Sequence, residues 1–170
     1  MKGKNARQLT WAAVIAAIYV VLTVVFAPFS FKEIQVRISE ALTILPFFTP
    51  AAIPGLFVGC ILANVLGGAI LPDIIFGSIA TLIGAVGTYM LCRERKNKFL
   101  APVPPIIANA VIVPFVLRYG YGVALPIPLM MLTVGIGEVI SCGILGMILL
   151  MALEKGGSRV FRNDSLLETM

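Results

Sequence analysis

Between Glu40 and Asp73 the chain carries no charged side chain. An uncharged, apolar run of that length must be shielded from water throughout, and it exceeds the roughly 20 residues that cross the hydrocarbon core of a bilayer. Pro50 and Pro54 interrupt it, because each forces the residue before it out of helical geometry. Two apolar pieces joined by a tight hairpin at "PAAIP" are therefore expected. Composition extends this to the whole chain: 59% of residues are hydrophobic and 12% charged, with mean hydropathy +1.03. A soluble domain is about 25% charged, so this chain cannot clothe a water-facing surface. It reads as an all-α integral membrane protein.

Hydropathy divides the sequence into six apolar segments, near 8–27, 39–50, 53–71, 73–92, 101–117 and 126–153. Residues 1–155 make one transmembrane domain, and 156–170 a polar tail. The first segment is as long as a spanning helix and no small-residue cleavage site follows it, so it reads as a span, not a removable signal. Lys2, Lys4, Arg7, Arg93, Arg95, Lys96, Lys98, Lys155, Arg159 and Arg162 fall on one side if both termini are cytoplasmic. Only Lys32, Arg37 and Arg118 fall on the other. That bias follows the positive-inside rule and predicts an even number of spans. The net charge of +5 is thus topology, not a nucleic-acid footprint.

Several chemistries lack their residues. There is no histidine, and Cys60, Cys92 and Cys142 show no C-x-x-C spacing, so no metal site or cofactor is expected. No G-x-x-x-x-G-K-[ST], H-E-x-x-H or G-x-S-x-G occurs, which removes ATP hydrolysis by a phosphate-binding loop and the common hydrolase routes. The chain is not expected to be an enzyme.

Polar residues at membrane depth carry the functional information, since each is costly unless it meets a partner or a cavity. Glu138 lies about a dozen residues into the sixth segment, near mid-membrane by helical rise. Asn109 occupies the middle of the fifth, Asn64 lies in the third, and Ser78 and Thr81 lie in the fourth. For Glu138 the structural alternative is a protonated acid bonded to a neighbouring helix, and for Asn109 an interhelical amide contact. Asn64, Ser78 and Thr81 read as packing residues. Asp73 suits a helix N-cap or a ligand contact equally. Arg37 and Glu40, three residues apart, would share a helical face at the outer edge, as a capping pair or a charged gate.

Small residues recur at a spacing of four: Ala12 with Ala16, Ala13 with Ala17, and Gly55 with Gly59. Such spacing lets another helix approach closely, inside the body or on a partner. Phe26, Phe29, Phe31, Tyr119 and Tyr121 sit in outer loops, where aromatics anchor at the interface or stack on a flat ligand.

The run "QVRISEALTILPFFTPAAIPGLFVGCILANVLGG", continuing into "DIIFGSIATLIGA" and later "GIGEVIS", resembles the QueT family. Its members are queuosine-precursor substrate-binding (S) subunits of energy-coupling factor (ECF) transporters. The resemblance covers nearly the whole chain and fades in the C-terminal tail. It implies a six-helix membrane protein of a prokaryotic cell membrane that binds a vitamin-like solute from outside. It also implies docking on a transmembrane coupling subunit that carries two ATPase subunits, through Ala12, Ala13, Ala16 and Ala17.

The implied solute is a 7-deazaguanine. Its guanine-like edge presents two adjacent donors that a single carboxylate can accept together. By chemistry and depth, Glu138 is the first choice for that edge and Glu40, partnered by Arg37, the second. Asn109 suits the ring carbonyl, and Asp73 or the other glutamate an aminomethyl cation where the solute has one. Phe31 or Tyr121 would stack on the ring. The alternatives are another small vitamin or nucleobase carried on the same fold, a proton-coupled secondary transporter using Glu138, and a structural subunit without ligand.

Overall fold

A computed structural model describes residues 2–26, 36–92 and 97–156. Every regular element among the described residues is helical: α1 (Lys2–Val25), α2 (Ile38–Phe47), α3 (Ala52–Leu66), α4 (Leu71–Cys92), α5 (Val103–Tyr119) and α6 (Ile127–Gly156). A 3-10 turn at Lys98–Leu100 leads into α5. Four helical stretches are long and apolar enough to cross a bilayer: Asn5–Val25, Leu71–Cys92, Lys98–Tyr119 and Ile127–Gly156. Helices α2 and α3 are apolar but shorter.

The second segment departs most from a regular span. It is a 3-10 helix, whose rise of about 2.0 Å per residue stretches a short sequence further than an α-helix would. Pro46 inside it has no N–H to give an α-helical ladder, and Thr43 turns its hydroxyl onto the Glu40 carbonyl at 2.6 Å. Every residue from Ser39 to Phe47 is buried, because α2 runs through the middle of the bundle against α1, α3, α4 and α6. The expected break follows at Phe48–Ala51, where the Ala52 and Ile53 amides bond back to Thr49 and Pro50.

Small residues set the helix spacing. A side chain at Gly55 would place its Cβ 2.7 Å from the Ala12 carbonyl oxygen, and one at Gly59 would lie 3.0 Å from the Ala16 Cα. The Ala12/Ala16 and Gly55/Gly59 pairs are thus two halves of one α1–α3 seam. Glycines in "LGGAILPD" make the α3–α4 turn, where Gly68 adopts φ of +72°, a value that suits glycine.

The outer faces are apolar, and the interior holds buried polar groups beside its apolar packing. Ile15, Tyr19, Ile44, Leu56 and Leu150 form one apolar core, and Val113, Leu117, Met130 and Val134 another. Also buried are Thr23, Ser39, Glu40, Asn64, Asp73, Ser78, Thr81, Asn109, Glu138 and Ser141. Val14, Ile18, Val21, Ile75, Ile83, Ile107, Val111, Leu132, Ile136 and Ile148 face outward. Lone exposed apolar residues are ordinary, but outward apolar faces on α1, α4, α5 and α6 together match a lipid solvent.

Successive elements run alternately between two ends. Asn5 and Gln8 share a cleft with Pro50, Ala51 and Pro54 at one end. There too Thr88 donates to the Ala101 carbonyl at 2.7 Å, and Lys98 pairs with Glu154 at 2.8 Å. The loop residues Ile70 and Tyr121 meet at the other end.

Candidate functional site

Two polar clusters occupy the interior. The central one joins α1, α2, α4, α5 and α6. The Tyr19 phenol donates to Oε1 of Glu40, and the Thr81 hydroxyl approaches the same oxygen at 3.3 Å. Oε2 of Glu40 completes no hydrogen bond of good geometry among the described residues. Glu138 reaches the cluster from α6, where the helix changes to π geometry over Val139–Leu145. Such widened turns recur at functional sites. Here the segment starts just after Glu138 and holds Cys142, whose thiol donates to Oε2 of Glu138 at 3.1 Å and approaches the Glu40 carbonyl at 3.4 Å. Thr43 lies 3.3 Å from the same sulfur.

Glu40, Glu138 and Cys142 each bring one ligand atom within 4.8 Å of the others, and all three are buried. Asn109, on α5, lies against both carboxylates, yet its amide nitrogen completes no hydrogen bond of good geometry. The hydroxyls of Ser78 and Ser141 are likewise buried without partners among the described residues. Buried polar atoms are nearly always satisfied, so the carboxylates of Glu40 and Glu138 with the Asn109 amide beside them suit a solute rich in hydrogen-bonding groups.

Nearer the end that holds Ile70, the second cluster is built around Arg37. Arg37 donates from Nη2 to Oδ1 of Asn64 at 2.8 Å and pairs with Oδ2 of Asp73 at 4.0 Å. Asn64 also donates to the Asp73 carbonyl at 3.4 Å. The Tyr121 phenol donates to Oδ2 of Asp73 at 2.9 Å. Burial, and then the Asp73 carboxylate, hold that phenol above the usual tyrosine range, which keeps it protonated as a donor. The cluster ties α3, α4 and the α5–α6 loop to the residue just before α2.

These positions revise the expected pairing. Arg37 is extended, with φ −87° and ψ 99°, so it does not share a helical face with Glu40; its guanidinium turns to Asn64 and Asp73 and acts on the Glu40 carboxylate through space. Both Arg37 and Glu40 are buried, not set at a wet edge. Asn64 and Thr81, expected as packing residues, bond to the charged groups. Asp73 sits in the first turn of α4 but spends its carboxylate on Arg37 and Tyr121. The Tyr121 phenol is engaged by Asp73, whereas Phe31 lies outside the described residues. The alanines divide: Ala12 and Ala16 are buried against α3, while Ala13 and Ala17 are exposed.

Glu138, Asn109 and Glu40 do come together. Tyr19, Cys142 and Thr43 join them without having been singled out in the sequence. Cys142 stands four residues after Glu138, a spacing that marks neighbours on a helix. Tyr19 is the polar tip in an otherwise apolar stretch of α1.

Apolar outer faces around charged, hydrogen-bonding groups define a polytopic helical membrane protein with a buried polar site. The sequence model of the QueT transporter family matches residues 9–155. The chain belongs to the QueT transporter family. A relative from Lactococcus lactis subsp. cremoris (strain MG1363), the queuosine precursor transporter QueT, is 30% identical over 102 residues. The matched stretch covers 58% of this chain and 60% of the relative's length. No solved structure matches the chain.

Proposed function

We propose that this chain is the membrane-embedded binding subunit for a 7-deazaguanine precursor of queuosine, working as the S subunit of an ECF transporter. The observation that carries this is the buried meeting of Glu40, Glu138 and Asn109 with acceptor and donor positions unspent. A guanine-like edge offers N1–H and an exocyclic amine side by side, which a carboxylate accepts in two parallel, charge-assisted bonds. Glu138, beside Asn109 at the π segment, suits that edge, and the Asn109 amide suits the ring carbonyl.

Energy would come from two partner ATPases through a coupling subunit. The exposed Ala13 and Ala17 would form the docking face on α1, with Ala12 and Ala16 behind them holding α3. Six crossings with both termini in the cytoplasm fit the charge bias of the sequence and the alternation of element ends. The short α2 and α3 would complete the crossings where the bundle covers them. A prokaryotic cell membrane is the setting this implies.

Calorimetric titration of the purified chain tests the site. Glu138→Gln is expected to lose most 7-deazaguanine binding while the protein stays folded, and unchanged affinity would remove Glu138 from the site. Uptake by the chain alone, in proton-loaded vesicles without ATP or partners, would replace the S-subunit assignment with a proton-coupled carrier.

A further inference from the structure

The seam between α4 and α5 changes character along its length. Toward the Lys98 end it is tight: a Cβ at Gly84 would lie 2.6 Å from the Pro105 Cα, and one at Gly87 2.6 Å from the Pro104 Cβ. Toward the Ile70 end large side chains replace the glycines, and large side chains widen a helix seam. There Pro72 and Phe76 on α4 and Val111, Phe115, Val116 and Tyr119 on α5 line an open groove of about 540 Å³. Phe76, Val111, Phe115 and Tyr119 are exposed. No lining residue is charged, and Ser78 and Asn109 of the polar interior are buried away from the groove.

Depth, surroundings and charge together define what fits it. From Val111 to Tyr119 the lining runs about 12 Å by helical rise, close to the roughly 15 Å that one leaflet contributes to the hydrocarbon core. The groove is set in the outward apolar faces of α4 and α5, beside Ile75, Ile79 and Ile107, so acyl chains are what surround it. At its Ile70 end Tyr119 takes the place of an interfacial aromatic. Arg118 follows Val111 and Phe115 at helical spacing, on the same side of α5. It is exposed, donates from Nη1 to the Val123 carbonyl at 3.0 Å, and pairs with no carboxylate among the described residues. Most of its five donors are therefore unspent. Arg37 and Asp73, the other charged residues described at that end, are buried. The exposed charge beside the groove is thus a lone positive one.

We propose that this groove seats one acyl chain of an anionic phospholipid, with the headgroup phosphate on the Arg118 guanidinium. A guanidinium meets a phosphate in two parallel, charge-assisted bonds. The tail by itself selects little, because lipid tails are as apolar as the groove and one replaces another at small cost. Shape holds the tail, and the cation chooses the headgroup. An arginine that merely extends its charge to the water layer would leave the groove indifferent to headgroup. The lipid site is separate from the solute site proposed above and stands whichever solute the chain carries.

The test places a reporter in the groove. The chain has one tryptophan, Trp11, so Trp11→Phe with Tyr119→Trp gives a full-length reporter whose only indole lies at the groove. It is reconstituted in bilayers where phosphatidylglycerol or phosphatidylcholine, carrying the same brominated acyl chains, quenches its fluorescence. Phosphatidylglycerol is expected to occupy the groove about fivefold more effectively than phosphatidylcholine, the preference that one interfacial arginine supplies. Arg118→Gln should abolish that preference and Arg118→Lys should keep most of it. Val111→Phe, which fills the groove and spares the cation, should reduce it about twofold or more. Should a variant fail to fold, the ranking of the two lipids by the reporter chain still decides. Equal quenching by both lipids, or a preference that survives Arg118→Gln, overturns the headgroup contact. A preference untouched by Val111→Phe overturns the seat of the tail. No quenching by either lipid would mean that protein, a second copy of the chain included, covers the groove, and would overturn the proposal outright.

Discussion

Tyr19 on α1 and Glu40 on α2, 21 positions apart in the chain, are joined by a hydrogen bond from the phenol to Oε1 of the carboxylate. Neither is exposed, so the bond is made in a medium where an unmet carboxylate oxygen is expensive. Tyr19→Phe keeps the ring packing and removes only the donor. It is expected to lower stability by about 1–3 kcal/mol and to weaken solute binding, since Glu40 loses the group that orients it. Unfolding in detergent measures the first and titration the second. An unfolding midpoint equal to wild type would show that the phenol contributes no net stability.

The Arg37 cluster responds differently to single and paired changes. Arg37→Met leaves the buried Asp73 carboxylate with Tyr121 as its side-chain donor among the described residues, and is expected to cost about 3–5 kcal/mol. Adding Asp73→Asn removes the stranded charge, and the double variant should recover most of that loss. A double variant no more stable than Arg37→Met would mean that packing of the arginine, not charge balance, dominates.

At the α1–α3 seam, Gly55→Ala sets a methyl 2.7 Å from the Ala12 carbonyl oxygen. The backbone cannot yield as a flexible side chain would, so a loss of about 1–3 kcal/mol is expected. Ala13→Trp and Ala17→Trp point outward and should leave folding and solute binding intact while blocking capture of the coupling subunit. Normal capture by both tryptophan variants would move the docking face off α1.

Lys98 and Glu154 make a short ion pair at 2.8 Å, but their side chains are 37% and 33% exposed. Water and salt screen such a pair, so Lys98→Ala is expected to change stability by about 0–1 kcal/mol. A larger loss measured at physiological salt would show that the pair anchors the end of α6 beyond its electrostatics.

Much of this molecule was legible along the chain because a bilayer imposes a rule that acts locally. Each apolar stretch must satisfy its own backbone, so helices at 8–27, 73–92, 101–117 and 126–153 follow from hydropathy, with ends shifted by a few residues. Glu138 and Asn109 stood out for the same reason: a polar group in such a stretch needs a partner. The second segment did not follow this rule, because α2 is covered by other helices and its 3-10 winding answers to Pro46 and Thr43.

The sequence by itself determined that the chain is helical, that its surface is apolar, and that a few acids and amides lie within. Only the tertiary structure decided which of them meet. Sequence spacing paired Arg37 with Glu40, but the extended backbone at Arg37 sends its guanidinium to Asn64 and Asp73, residues from other elements. Glu40 was left to Tyr19, Thr81 and the side of Glu138. Pairing across helices depends on rotation and crossing, set by seams such as Ala12 on Gly55 and by the π turn after Glu138. No local pattern encodes those contacts, and they gather scattered polar residues into the Arg37–Asp73 cluster and the Glu40–Glu138 site.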